Sequence, residues 1–160
     1  MSSALRIYLQ NHEAAARAGV DLCRRAADAQ RERAHGPVLR DLCAEIQDDR
    51  ERLRLIMRSV HVRPNPLLGV ALQVGERVGR LKPNGRVVRR SRLSDLLEVE
   101  ALVDAVSAKR AGWYALAASS LRAPLAGQVA ELITRADDQL GRLRSIHSTL
   151  AAEILTRSTL

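Results

Sequence analysis

The chain of 160 residues contains no phenylalanine, and aromatic residues make up only 2% of it. Sheets favour aromatic and β-branched side chains, so this scarcity argues against a β fold. With only Tyr8, Trp113 and Tyr114, the chain also lacks the stacking platforms that single-strand nucleic-acid recognition uses. Cysteine is limited to Cys23 and Cys43, which suggests no disulfide framework. Level across the first helical hairpin, the pair reads as two small apolar residues rather than a bridge, because packed helix axes stand about 8–10 Å apart. The longest uncharged apolar run, Leu67 to Val74, falls far short of the roughly 20 residues of a membrane span. Ala4 to Leu9 carries Arg6 and is too short for a secretory core, so the expected location is the cytoplasm, away from membranes. Also missing are a phosphate-cradling glycine loop, CxxC, HExxH and a nucleophile elbow.

What is present is a helix former's palette. Apolar residues reach 46%, mostly as Ala, Leu and Val, and the formal net charge of +8 comes almost wholly from Arg. Four helices follow from the 3–4 spacing of apolar positions. The first stripe runs Leu5, Leu9, His12, Ala16, Gly19, Cys23, Ala26 after a cap at Ser2 or Ser3. Gly36-Pro37 punctuates the chain, and a second stripe follows: Leu39, Leu42, Ile46, Asp49, Leu53, Ile56, Val60. Pro64-Asn65-Pro66 ends it, a short glycine-weakened helix is expected over Leu67 to Leu81, and Lys82-Pro83-Asn84-Gly85 marks a turn. Ser94 is the expected cap of the third helix, with Leu96, Val99, Val103, Val106, Trp113 and Leu116 inward. Pro124 opens the fourth, with Val129, Ile133, Ala136, Leu140, Leu143, His147, Leu150 and Ile154. The expected fold is all-α: one domain over residues 1–160, a four-helix bundle of two antiparallel hairpins joined by a long connection.

Several carboxylates precede an arginine by four residues: Glu13–Arg17, Asp21–Arg25, Asp48–Arg52, Glu131–Arg135 and Asp138–Arg142. That spacing reads as solvated helix-face pairing, worth about 0.2–0.5 kcal/mol each. Polar residues on the stripes are different. His12, Asp49 and His147 fall on buried faces and Glu100 at a margin, one candidate metal ligand per helix, of a type suited to Fe, Mn or Zn. At about 1.5 Å per residue, Asp49 lies about 9 Å deeper than His12, whereas Glu100 and His147 share a level. Whether the two groups meet depends on whether the long connection crosses the bundle; core histidines paired with nearby acids are the alternative. Arg77, Arg80, Lys82, Arg86, Arg89, Arg90 and Arg92 form the strongest local charge bias, suited to nucleic acid or another polyanion, or to a solvated loop.

The layout, with Tyr8-Leu-Gln-Asn-His12, Glu45-Ile-Gln-Asp-Asp49, Gly79-Arg-Leu-Lys-Pro-Asn-Gly-Arg86 and Leu93-Ser-Asp-Leu-Leu-Glu-Val-Glu-Ala-Leu102, resembles an Arg-rich bacterial branch of the ferritin-like superfamily. That resemblance implies a Glu from each of two helices and Glu-x-x-His from the others. Here Glu45-Ile-Gln-Asp48 has Asp in the His place, Glu131-Leu-Ile-Thr134 has no ligand there, and Glu32-Arg-Ala-His35 abuts a turn. The expectation is therefore a non-enzymatic structural or binding bundle, a homodimer through an Ala- and Leu-rich face, with no cofactor and no intact di-iron centre. The alternatives are a metal-binding bundle using His12, Asp49, Glu100 and His147, and a basic DNA-associating protein.

Overall fold

The computed structural model describes residues 2–65, 91–119 and 123–156. Among them are four helices and no strand: α1 (Ser3–Ala29), α2 (Gly36–Ser59), α3 (Arg92–Ala118) and α4 (Ala123–Leu155). The short helix expected over Leu67 to Leu81 lies outside the described residues.

Each helix begins and ends for a local reason. Ser2 caps α1, its hydroxyl accepting the Leu5 N–H at 3.2 Å. α2 opens at Gly36-Pro37, and glycine is required: a Cβ on Gly36 would lie 2.5 Å from the Gln30 carbonyl and 2.7 Å from that of Arg31. α2 ends before the proline pair that marks its expected limit. His61 adopts a left-handed backbone (φ 55°), its N–H bonds to Arg58 O at 3.0 Å, and Val62 N–H bonds to Met57 O at 2.8 Å. This is the Schellman arrangement, with buried Val62 as its apolar clasp. α3 is capped by Ser91 and not by Ser94, whose N–H the Ser91 hydroxyl accepts at 3.3 Å. Both serines fit the cap pattern, and the one a turn earlier takes it.

One continuous core joins all four helices, with Leu9, Cys23 and Ala26 from α1, Leu39, Leu42 and Leu53 from α2, Leu102 and Trp113 from α3, and Leu132 and Leu143 from α4. α1 packs on α2 and α3, and α4 packs on α3 and more lightly on α2. Contacting pairs between α1 and α2 include Arg24–Gln47 and Glu13–Arg50, and between α3 and α4 Arg92–Glu153, Lys109–Gln139 and Arg110–Asp137. In each series the residue number rises along one helix as it falls along the other.

A 2.8 Å ion pair from Arg33, in the α1–α2 turn, to buried Asp95 places the first turn of α3 beside the start of α2. The end of α2 and the start of α3 thus stand at opposite ends of the bundle. Of the two chain paths left open by the sequence, this is the one that separates His12 from the Glu100–His147 pair.

The cysteines overturn the sequence reading. Cys23 and Cys43 form a disulfide, with their Cα atoms 5.5 Å apart. Average helix spacing would forbid it, but α1 and α2 approach to 5.5 Å between these two Cα atoms, with the small residues Ala26 and Ala27 buried nearby. No helix among the described residues is long and apolar enough to cross a membrane.

Candidate functional site: a cavity beside a buried ionic network

The α2 stripe carries Asp49 inward, and there it is fully buried. An isolated carboxylate in that position would be costly, so the surrounding helices supply partners. Lys109 of α3 donates through Nζ to Asp49 Oδ2 at 2.5 Å and to Gln139 Oε1 at 2.5 Å. Gln139 of α4, also fully buried, donates through Nε2 to Asp49 Oδ2 at 3.0 Å and to Glu45 Oε2 at 3.3 Å. Arg142 donates to Glu45 Oε2 at 2.5 Å. Arg135 donates to Asp48 Oδ2 at 2.7 Å and to the Glu45 carbonyl at 3.2 Å, and its Nη2 lies 3.0 Å from Asp49 Oδ1 as an ion pair.

The electrostatics follow from this wiring. Burial lowers the Lys109 ammonium below its usual value, and the charge of Asp49 and its hydrogen bond oppose the shift. Burial pushes Glu45 up, but hydrogen bonds from Arg142 and Gln139, with the charges of Arg142 and Arg135, bring it below its usual value. The Arg135 hydrogen bond leads in holding Asp48 down. Glu45, Asp48 and Asp49 balance Lys109, Arg135 and Arg142, one for one.

Another buried acid was hidden by its local pattern. Glu13 is not paired with Arg17 on a solvated face; it is 4% exposed and accepts from Arg50 (2.8 Å) and Arg54 (3.0 Å) of α2. The i,i+4 pairing holds for Asp48–Arg52 and Asp138–Arg142, though Asp48 also reaches Arg135. Glu131 lies 3.7 Å from Arg52.

Between α1, α2 and α3 lies a cavity of about 280 Å³. Its walls are largely apolar, with Leu9, Ile46, Leu53, Leu102, Val106 and Trp113, and Asp49, Lys109, Arg50 and His12 mark its polar side. Small residues open it: Ala16 and Gly19 on α1, Ala105 and Gly112 on α3. His12 is fixed by the Tyr8 ring, 4.4 Å away between centroids, and by Gly112. A Cβ on Gly112 would stand 2.7 Å from His12 Cε1 and 2.9 Å from Nδ1. Burial lowers the His12 pKa, which keeps its imidazole neutral near neutral pH. The indole N–H of Trp113 is buried and has no hydrogen-bond partner among the described residues.

Of the four residues singled out as metal ligands, His12 and Asp49 line this one cavity. Glu100 and His147 stand together, 3.7 Å apart on a half-exposed surface. Among the described residues no three His, Cys, Asp or Glu side chains gather as a metal-holding group. In the basic segment, Arg77, Arg80, Lys82, Arg86, Arg89 and Arg90 lie outside the described residues, and Arg92 pairs with Glu153 at 3.1 Å. The residues missed from sequence are Lys109, Gln139 and Glu13. Lys109 did leave a signal, as one of two lysines in the chain, set in a core slot between Val106 and Trp113.

No protein-family model matches this chain, and no curated protein or solved structure shows significant similarity to it.

Proposed function

We propose that this chain is a non-enzymatic, ferritin-like binding module, two antiparallel helical hairpins holding a small, mainly apolar molecule in the α1–α2–α3 cavity. The observation that carries the reading is the cavity: about 280 Å³, walled by aliphatic side chains and an indole, close to the size at which small-molecule sites begin. Absence of a di-iron centre is supported by the donor set. Glu45, Asp48 and Asp49 are the carboxylates helix α2 would offer a metal, and each already answers a protein cation. A metal on Asp49 would have to displace Lys109, whose side chain is 15% exposed, and leave that ammonium without its carboxylate.

Calorimetry of the purified chain with naphthalene tests the reading. One molecule should bind per chain, and Ala105→Trp, which fills the cavity from α3, should abolish binding while the helical circular dichroism persists. Absence of measurable heat in the parent chain, or undiminished binding by Ala105→Trp, rejects it.

A further inference from the structure

The walls of the cavity say what kind of molecule fits, granted the binding role above. Three constraints act together. The first is size: a dry apolar cavity of about 150 Å³ takes one benzene ring, so about 280 Å³ suits two fused rings.

The second is charge. Asp49 is matched by Lys109 and Arg135, and Arg50 by Glu13, so no wall charge is left over for a ligand to neutralise. An ionised ligand would carry an uncompensated charge into an apolar space, which selects against it.

The third is hydrogen bonding. His12 makes no hydrogen bond among the described residues, so its ring nitrogens are available within the cavity wall. A neutral imidazole offers one donor and one acceptor. Gly112 and Tyr8 hold the ring in place, so little ordering is needed when a ligand arrives.

We infer that the cavity takes an uncharged bicyclic aromatic bearing a hydroxyl group, with the hydroxyl hydrogen-bonded to His12 and the rings against Trp113 and the aliphatic wall. His12 is then the specificity residue: the apolar wall supplies most of the affinity and the imidazole chooses among ligands of equal size.

The test uses 2-naphthol, naphthalene and 2-naphthoate as probes, with calorimetry for affinity and the single indole ¹H–¹⁵N resonance of Trp113 for location. In the parent chain 2-naphthol should bind about five- to tenfold tighter than naphthalene, the worth of one net hydrogen bond. It should also bind at least about tenfold tighter than 2-naphthoate, whose charge has no partner. His12→Leu should bring 2-naphthol down to the naphthalene affinity, and His12→Gln, which keeps a donor and an acceptor, should restore part of the preference. If naphthalene moves the indole resonance and the parent and His12→Leu chains treat it and 2-naphthol alike, the hydroxyl assignment falls and the binding role stands. Tightest binding of 2-naphthoate also overturns the inference. If none of the three moves the indole resonance, inference and binding role fall together.

Discussion

Lys109→Met tests whether the bundle is organised around its ionic network. Lys109 is 15% exposed and Asp49 1%, so the pair sits where solvent screens little. Methionine keeps the length and the helix propensity but removes the ammonium. Asp49 Oδ2 then retains only the Gln139 N–H, Gln139 Oε1 loses its donor, and Arg135 alone faces the buried charge. Breaking one side of a buried pair typically costs about 3–5 kcal/mol. In a domain of this size that is a fall in melting temperature of roughly 6–20 °C. Urea unfolding followed by the fluorescence of Trp113, itself 3% exposed, measures it. The loss should reside in the midpoint and not in the slope. The control is the combined Lys109→Met, Asp49→Leu, Gln139→Leu chain, which removes every group left unpaired. Apolar replacement of buried pairs is commonly neutral or stabilising, so this variant should return to within about 1–2 kcal/mol of the parent. A Lys109→Met loss below about 1 kcal/mol, or a triple variant no better than the single one, would refute the reasoning.

Reducing the Cys23–Cys43 bond, or replacing both residues by Ala, should cost about 3 kcal/mol, from a separation of 20 residues; thermal melts with and without reductant check it, and identical melts reject the bond. Gly112→Ala should destabilise by about 1–3 kcal/mol and abolish naphthalene binding, because the new Cβ meets the His12 ring and drives it into the cavity; unchanged affinity by calorimetry would count against this packing. The lowered His12 pKa means that the unfolded chain takes up a proton first as pH falls below about 6.5. Its contribution to stability is therefore intact above that pH and declines down through the depressed folded value, so His12→Gln should flatten the decline of urea midpoints across that window. His61→Gly should raise stability by about 1 kcal/mol by relieving the left-handed backbone, read in the same unfolding assay.

The sequence was most legible where one helix decides its own fate. The second helix is the best case: Leu39, Leu42, Ile46, Asp49, Leu53 and Ile56 repeat at strict 3–4 spacing, and all are buried, the aspartate included. The same rule failed on α1 because Glu13 has a plausible local partner in Arg17, while its actual partners are 37 and 41 residues away on α2. Nothing in a local window reveals a guanidinium arriving from another helix. His147 marks a one-residue error on α4: the inward face carries Gln139 and Ile146, and His147 drifts to the rim beside Glu100. The disulfide needed the close approach of α1 and α2 at Cys23 and Cys43, and the direction of α3 needed the Arg33–Asp95 pair. Both are tertiary facts. The cavity was not read from the sequence: its small lining residues Ala16, Gly19, Ala105 and Gly112 belong to two helices, and only their packing brings them together.

The most direct measurement is an NMR titration of the parent chain with naphthalene, following the Trp113 indole and the methyl groups of Leu9, Ile46, Leu53, Leu102 and Val106. The account expects saturable shifts of one-to-one stoichiometry confined to those wall residues. Shifts that never saturate, or that fall instead on the exposed Leu93, Leu97 and Leu155, would contradict it.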